Sequence, residues 1–435
     1  MRIDRLRIEN FKGFELKDFS FHPQMNLIVG VNGAGKTSLL DALAVAAGAW
    51  LLGIRGYDTR NIRPHDVRLN AIPGYNTAMV NWESQFPCVV HANGLVFGQT
   101  VEWKRSLTTP GGRTTRGDSR NIRNLAANAD RAVRAGEASV LPLLSYYGTG
   151  RLWDTPREQY LVKDEKGLVG KQSLSRLEGY RNSLDPRVSI PTLAKWIARQ
   201  SWIAYQSGGP SHLYSTVRSA ILACIEEAHD LYFDAARGEV VLKIGTHGLQ
   251  PFSNLSDGQK ALVALVGDMA QKAATLNPSL DERVLEDTPG MVLIDELDLH
   301  LHPGWQRRVI EDLRRVFPRI QFFAATHSPF LIQSLRSGEE LLMLDGLATA
   351  ELGNKTLDDI AQGIMGVPHP EVSQRYGQMK QTATEYLETL DQAALAPEDK
   401  RKQFEERLSE SIAPYADNPA FQAFLEMKRA AKLRD

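Results

Sequence analysis

Cysteine is scarce in this chain, and no stretch of it is both long and apolar. Two cysteines, Cys88 and Cys224, stand far apart among 435 residues without CxxC spacing, which argues against a disulfide framework or a cysteine zinc site. The longest apolar stretch, ALAVAAGAWLLGI, is shorter than the roughly 20 residues that a membrane-spanning helix needs. The N-terminus, MRIDRLRIENFKGFEL, lacks the continuous apolar segment of a signal peptide. We therefore expect a soluble cytoplasmic protein.

Excess charge of either sign is also missing, since the formal net charge is -1. This argues against a wholly basic nucleic-acid binder, although a neutral average can conceal a charged face. Residues 108–136 hold such a local excess. Its basic residues are Arg113, Arg116, Arg120, Arg123, Arg131 and Arg134, against only Asp118 and Asp130. The segment is either a solvated loop leading into an exposed helix, or a contact for nucleic-acid phosphates or an acidic partner.

Strand patterns open the chain. RIDRLRIEN, FELKDFSFH and QMNLIVG each predict a strand, and the third leads through a Gly-rich turn into a helix from Lys36 to about Leu52. Further on, the pair Asn93 and Gly94 lies between two apolar runs and predicts the turn of a β-hairpin. The first lobe should therefore combine parallel and antiparallel strands.

The later part of the chain changes character twice. Residues 191–236 predict mainly helix, and strands then alternate with helices through residue 344. From near Thr356 the pattern is helical, with apolar residues at heptad spacing. These residues are Val372, Tyr376, Met379, Ala383, Tyr386, Leu390 and Ala393. Such a short seam indicates either packing within a helical hairpin or an arm that binds a partner or a second copy.

A phosphate-binding pattern follows the third strand. GVNGAGKTS, residues 30–38, matches GxxxxGK[ST] between a strand and a helix. Glycines let backbone N–H groups surround phosphate oxygens, and the helix N-terminus favours negative charge. Lys36 should reach the β- and γ-phosphates, and the Thr37 hydroxyl should bind Mg²⁺.

Two later strands end in groups suited to hydrolysis. GMVLIDELDLHLHP places Asp295 to hold Mg²⁺ and Glu296 to polarise an attacking water. IQFFAATHSPFL ends at His327, which could sense the γ-phosphate. His300 and His302 alone do not make a metal site, because no third ligand accompanies them.

The turn NLSDGQ, residues 254–259, matches a helix cap, but a cap does not account for its glycine. Ser256 and Gln259 match a capping box at a helix N-terminus. Gly258 is costly in a first helical turn, which predicts that something approaches its backbone closely.

Taken in order, GVNGAGKTS, NLSDGQ, LIDELDLHLHP and ATHSP resemble the Walker A, signature, Walker B with D-loop, and H-loop motifs of ABC-type ATPases. LRIENFKGFE resembles the first strand of the RecF, Rad50 and SMC subgroup. Within it, LPLLSYYGTGRLW and the C-terminal tail resemble the PtuA ATPases of Septu antiphage systems, whose relatives accompany some retrons. The resemblance implies an α/β fold: an ABC-type head over residues 1–344, with a basic insertion and helical lobe at 107–236, and a helical, short coiled-coil extension at 345–435.

The resemblance also implies the chemistry. Glu296, His327 and Lys36 are expected to be catalytic, Thr37 and Asp295 to hold Mg²⁺, and ATP to be the nucleotide. The residues expected to contact ATP are Gly30, Asn32, Gly33, Ala34, Gly35, Lys36, Thr37, Ser38, Ser256, Gly258 and Gln259. Ser256 and Gly258 are expected to meet the γ-phosphate held by Lys36 of a second copy while Gln259 steadies their turn, so that ATP joins a homodimer or a larger oligomer.

Partners follow from the same resemblance. It implies a separate effector nuclease of the HNH type, controlled by the nucleotide state of this chain in antiphage defence. A RecF-like DNA-repair ATPase is the alternative, with Arg113, Arg116, Arg120 and Arg123 contacting DNA. A transporter cassette is disfavoured by the RecF-like N-terminus and the helical tail.

Overall fold

The chain folds as two compact units, Met1–Lys355 and Thr356–Asp435. The computed structural model describes residues 1–73, 80–151, 175–187, 190–345, 355–367, 370–394, 406–415 and 417–432. Among these residues no helix is both long and apolar enough to cross a membrane.

The elements of the first unit are numbered in chain order. Its strands are β1 (Arg2–Phe11), β2 (Phe14–Ser20), β3 (Met25–Val29), β4 (Leu69–Pro73), β5 (Val80–Ser84), β6 (Cys88–Val96), β7 (Gln99–Leu107), β8 (Leu143–Tyr147), β9 (Ala228–Asp234), β10 (Glu239–Ile244), β11 (Gly248–Pro251), β12 (Gly290–Ile294), β13 (Ile320–Ala325) and β14 (Leu341–Met343). Its α-helices are α1 (Lys36–Leu51), α2 (Arg120–Arg134), α3 (Ile190–Ser207), α4 (His212–Cys224), α5 (Asp257–Leu276), α6 (Val284–Asp287), α7 (Pro303–Gln306), α8 (Val309–Val316) and α9 (Pro329–Gln333). Short 3-10 segments lie at Pro64–Asp66, Gly117–Ser119, Arg176–Tyr180, Gly245–His247, Phe252–Asn254, Pro278–Arg283 and Gly338–Glu340.

A parallel sheet of five strands forms the centre of this unit, in the order β14-β3-β13-β12-β8. Every residue of β3, β8, β12 and β13 is buried. Continuous apolar runs such as MNLIV and GMVLI fit this position, because a parallel sheet is covered on both faces.

A four-stranded antiparallel sheet, β2-β1-β6-β7, forms a second layer. Helix α1 contacts strands of both sheets and is buried over almost its whole length. Its sequence is apolar on every side, which suits a helix between two layers rather than one at the surface. The apolar stretch ALAVAAGAW is thus a core helix, and the predicted mixture of parallel and antiparallel strands is confirmed.

The predicted hairpin exists, but its turn is not at Asn93 and Gly94. Strand β6 continues through both residues to Val96, and the turn lies at Phe97 and Gly98, which have φ of 50° and 76°. The prediction was wrong because glycine is required at position 94 by packing against a neighbouring strand and not by a turn. A Cβ on Gly94 would lie 2.0 Å from the carbonyl oxygen of Arg2, so glycine permits the close approach of β1.

Residues 191–236, which the pattern predicted to be mainly helical, end in a strand. Helices α3 and α4 occupy the first part, but Ala228–Asp234 is the strand β9, which pairs with β10 in the small antiparallel sheet β11-β10-β9. Only Leu231 of the sequence AHDLYFD is buried, so the apolar pattern of this strand is weak, and the pairing with β10 decides its conformation.

The basic segment is a docked helix with one solvent-exposed face. Helix α2 buries Ile122 and Ala126, and its backbone passes so close to Gly53 that a Cβ there would lie 2.4 Å from the Arg123 carbonyl oxygen. Upstream, the Ser119 hydroxyl donates to the carbonyl of Lys104. The segment is therefore fixed to α1 and β7 along its apolar side.

The second unit contains helices at Leu357–Gly363, Gln374–Ala394, 406–412 and Pro419–Lys432. Its core unites the C-terminal half of the heptad seam with the later helices. The buried residues are Tyr386, Leu390, Leu408, Ile412 and Leu425. Tyr376, nearer the start of the seam, is 50% exposed. Packing within the unit therefore covers the second half of the seam, as the hairpin alternative predicted.

Candidate functional site

The topology brings the predicted motifs to one edge of the parallel sheet. The strands that precede them, β3, β13 and β12, are consecutive neighbours in the sheet. Parallel strands all end at the same edge, where ligands of open α/β sheets bind. The loop that begins at Gly30, the carboxylates Asp295 and Glu296, and His327 therefore face a common region.

The loop after β3 has the backbone of a phosphate-binding loop. Gly33 and Gly35 have φ of 86° and 99°, in the left-handed region that residues with a Cβ rarely adopt. A Cβ on Gly35 would also lie 2.9 Å from the Phe14 ring. Gly35 precedes α1 without a side-chain cap, so the first N–H groups of the helix are available to an anion.

The Lys36 ammonium lies within this loop. Its Nζ is 2.8 Å from the Gly30 carbonyl oxygen and 3.2 Å from that of Val31. Burial lowers the pKa of Lys36, and the carboxylates of Asp295 and Asp345 oppose that shift. The Lys36 ammonium therefore donates only to neutral carbonyl oxygens among the described residues. Phosphate oxygens would be stronger acceptors for it, because they carry negative charge.

Thr37 and Asp295 form a direct pair. The Thr37 hydroxyl donates to Oδ2 of Asp295 at 2.8 Å, although 258 positions separate them in the chain. Burial raises the pKa of Asp295, and the Thr37 hydrogen bond acts in the opposite sense. The pair brings a hydroxyl and a carboxylate oxygen together beside the phosphate-binding loop.

Glu296 has a constrained backbone. Its φ is 48°, and its carbonyl accepts hydrogen bonds from the N–H of Leu299 and from Nη2 of Arg151, each at 3.0 Å. The side chain is partly exposed, so its carboxylate remains accessible. Sequence reasoning quoted Arg151 within LPLLSYYGTGRLW but gave it no role, because its partner Glu296 lies 145 positions away.

His327 is exposed at the end of β13. The preceding Thr326 donates its hydroxyl proton to Oδ1 of Asp298, and the His327 N–H lies 3.4 Å from the same oxygen. Asp298 thus connects the segment after β12 with the segment after β13. A second carboxylate at this edge, Asp345, accepts from the Val31 N–H at 2.7 Å and was also missed from the sequence.

The turn NLSDGQ forms the capping box at the start of α5. The Gln259 N–H donates to Oγ of Ser256 at 3.3 Å, and the Ser256 N–H donates to Oε1 of Gln259 at 2.9 Å. Ser256 itself is exposed. Gly258 is buried, and a Cβ there would lie 2.5 Å from the His300 carbonyl oxygen. The close approach predicted at this glycine is therefore made by the same chain.

Other candidate residues fall at the surface. His302 accepts from the Gly304 N–H at 3.2 Å and caps the start of α7. Within the described part of the chain, no group of three or more His, Cys, Asp or Glu side chains could hold a metal ion. The four arginines predicted to contact DNA lie at or near α2, and three of them are exposed. These three are Arg113, Arg116 and Arg120, while Arg123 is half-buried.

The chain is similar to two family models and to curated ATPases over most of its length. Residues 5–195 match a family model described as "AAA domain", and residues 151–333 match one described as "AAA domain, putative AbiEii toxin, Type IV TA system". The retron Ec83 probable ATPase of Escherichia coli is 23% identical over 80% of this chain and 72% of its own length. The Septu protein PtuA of Bacillus thuringiensis is 22% identical over 96% of this chain and 95% of its own.

Among solved structures, an SmcHead bound to the C-winged helix domain of ScpA has a TM-score of 0.46 at 15% identity. That comparison covers 81% of this chain and 98% of the other. The site of this chain is therefore defined by its own sheet order and by the residues that follow β3, β12 and β13.

Proposed function

Because this chain is an ATPase of the RecF/SMC-like type, we propose that ATP closes two copies of it together and that its nucleotide state controls a separate effector. The observation that carries the proposal is the openness of both half-sites. Val31, Asn32 and Gly33 of the phosphate-binding loop are exposed, and so is Ser256 at the start of α5. A nucleotide on one chain would therefore be open to solvent until a second chain covers it.

Each half-site supplies different groups in this proposal. The loop N–H groups and Lys36 hold the phosphates, and Glu296 polarises the attacking water. Ser256 and the α5 N-terminus of the second copy meet the γ-phosphate, where a helix dipole favours negative charge. Gly258 permits the packing of His300 beneath that turn and so sets the position of Ser256.

The residues present also fit a magnesium ion. Thr37 and Asp295 offer adjacent oxygen ligands, and Mg²⁺ in nucleotide sites takes few protein ligands beside phosphate oxygens and water. Bound there, Mg²⁺ supplies charge neutralisation and orientation of the terminal phosphate. Since ATP would contact both chains in the closed pair and so bind it more tightly than it binds a single chain, ATP stabilises the dimer, and hydrolysis removes that stabilisation.

The proposed setting is antiphage defence, and the proposed effector is a nuclease of the HNH type. The support is the similarity to retron and Septu ATPases over most of the chain. The second unit offers a surface for assembly, because Tyr376, Phe424 and Met427 are 50%, 46% and 62% exposed beside a well-packed core.

Co-purification tests the effector. We expect the tagged chain, expressed with its native neighbouring genes, to retain a nuclease subunit in an amount that differs with and without ATP. Lys36→Ala should abolish that difference, because it removes the phosphate-binding cation. A nuclease activity of this chain alone, at a metal site outside the head, would contradict the proposal.

A second candidate function is DNA binding through the basic segment that leads into α2 and forms its first turn. Arg113, Arg116, Arg120 and Arg123 form no ion pair with any residue that the structure describes, whereas Arg134 of the same helix pairs with Asp130 at 3.0 Å. Arginines without an ion-pair partner that are at least partly exposed are suited to phosphate contacts, and their number sets the salt dependence of binding.

Neutralising these four arginines to Gln tests the second candidate. If all four contact phosphates of duplex DNA, the slope of log K against log salt should become shallower by about 3.6, with weaker binding to any DNA sequence. Filter binding across a salt series measures this. The matched control converts four exposed but ion-paired arginines to Gln: Arg237, Arg283, Arg315 and Arg319. Equal losses in both variants would indicate a non-specific effect of charge.

A further inference from the structure

We propose that Arg151 is a positioning residue for ATP hydrolysis: its guanidinium holds the backbone of the turn that carries Glu296. The inference rests on the role proposed for Glu296 and adds a residue to which the sequence analysis gave no role. It is carried by three hydrogen bonds, by the backbone conformation of Glu296, and by the burial of the arginine.

The guanidinium of Arg151 joins two turns at the edge of the sheet. Arg151 follows β8, and its Nη1 donates to the carbonyls of Gly148 and Asp295 at 3.2 and 2.9 Å. Its Nη2 donates to the Glu296 carbonyl at 3.0 Å. Since β8 and β12 are neighbouring parallel strands, the side chain spans the ends of both. It fixes two successive carbonyls of the segment that bears the carboxylates.

The conformation that Arg151 holds is unfavourable by itself. A glutamate at φ of 48° places its Cβ close to its own carbonyl, and such residues persist only where surrounding contacts hold them. The Glu296 carbonyl has two such contacts, from the Leu299 N–H and from Arg151. The Leu299 bond closes the local turn, and the Arg151 bond ties that turn to the neighbouring strand.

The acceptors of Arg151 explain why an arginine is needed. Only 2% of this residue is exposed, and its hydrogen-bond acceptors among the described residues are all backbone carbonyls. The nearest carboxylates have other donors, since Asp295 accepts from Thr37 and Asp298 accepts from Thr326. A planar guanidinium reaches several carbonyls at fixed angles, whereas a lysine ammonium is a single point donor.

The surrounding charges favour the cation without pairing with it directly. Burial lowers the pKa of Arg151, and the carboxylates of Asp295, Asp298 and Glu296 raise it. The arginine therefore stays charged in a buried position and also offsets part of the negative charge at the site. Loss of its geometry should release the Glu296 turn while leaving the phosphate-binding loop intact.

The test compares Arg151→Lys with a matched control, Arg176→Lys. Arg176 also donates to three backbone carbonyls, those of Ser139, Leu276 and Glu137, but away from the predicted motifs. We expect Arg151→Lys to lower kcat about 10- to 100-fold, within the range that misplacement of a catalytic group costs, with the Kd for a fluorescent ATP analogue nearly unchanged. Arg176→Lys should change thermal stability while kcat stays within about 2-fold.

A double mutant separates positioning from general stability. In a Glu296→Gln background, Arg151→Lys should cause no further loss in residual turnover, because residues that act as a unit are not additive. Millimolar guanidinium should also partly restore turnover to Arg151→Ala. If Glu296→Gln alone keeps normal turnover, Glu296 is not the general base. The contacts of Arg151 with its backbone would then not position a catalytic group.

The results that overturn the proposal are distinct. Normal kcat in Arg151→Lys would show that the guanidinium geometry is unnecessary. Loss of ATP binding, or an equal loss of turnover in the Glu296→Gln background, would place Arg151 at another step. If Arg151→Lys and Arg151→Gln both fail to fold, the residue acts in folding, and the proposal is wrong.

Discussion

Glu296→Gln protein should hydrolyse ATP about 10²- to 10⁴-fold more slowly than the unsubstituted chain, the range expected for removal of a general base. It should bind ATP with nearly unchanged affinity, because the amide keeps the size of the side chain and the phosphate-binding loop is untouched. Since ATP stabilises the closed pair in the proposed mechanism, slow hydrolysis should also lead to accumulation of an ATP-bound dimer.

Single-turnover kinetics and analytical ultracentrifugation with and without ATP measure these two effects. A suitable control is Glu286→Gln on α6, since Glu286 is 65% exposed and lies 3.8 Å from an arginine nitrogen at the surface. It should alter neither turnover nor association. Glu296→Gln protein that turns over normally would remove Glu296 from the reaction. A variant that is slow but gains no dimer in ATP would retain the base and contradict closure by a second copy.

The residues of the candidate site could be predicted because their signals are local. Glycines at left-handed φ, a lysine at a helix start and carboxylates after an apolar strand are each visible in a short window. Their convergence was also predictable in kind, since parallel strands end at a common edge. The order β3-β13-β12 realises that expectation and brings Thr37 to Asp295.

Residues defined only by long-range packing could not be found in this way. Arg151 acts on the Glu296 carbonyl, and Asp345 accepts from the Val31 N–H across 314 positions. Neither role could be predicted from a local pattern, because the partner in both cases is backbone, which has no sequence signature. The pair Asn93 and Gly94 failed for a related reason: the contact of Gly94 with Arg2 is set by the neighbouring strand β1.

Gly258 is a further residue whose neighbour depends on long-range packing. The cost of glycine in a helical turn correctly predicted a close neighbour, but it could not distinguish a neighbour within the chain from a ligand. The structure places the His300 carbonyl there, in the segment that follows Glu296. The turn NLSDGQ is therefore linked to the carboxylate segment within one chain, which leaves the exposed Ser256 as its outward-facing group.

Ser256→Arg should leave ATP binding to the single chain largely intact and abolish hydrolysis. The bulky cation would occupy the exposed position at which the proposed mechanism places the γ-phosphate of the second copy. It would also remove the α5 N-cap, at a cost of about 1 kcal/mol in stability. A suitable control is Ser253→Arg, which adds the same side chain at another exposed position three residues earlier. It should keep most of the turnover.

Mixing variants tests whether the two half-sites come from different chains. Ser256→Arg has an intact phosphate-binding loop, and Lys36→Ala has an intact signature turn. A mixed dimer therefore contains one complete site, and an equal mixture should regain about a quarter of normal turnover if dimers form at random and their two sites act independently. Each variant alone should remain inactive. If Ser256→Arg loses ATP binding as a monomer, or if the mixture stays inactive while mixed dimers form, Ser256 does not complete the site of a neighbouring chain.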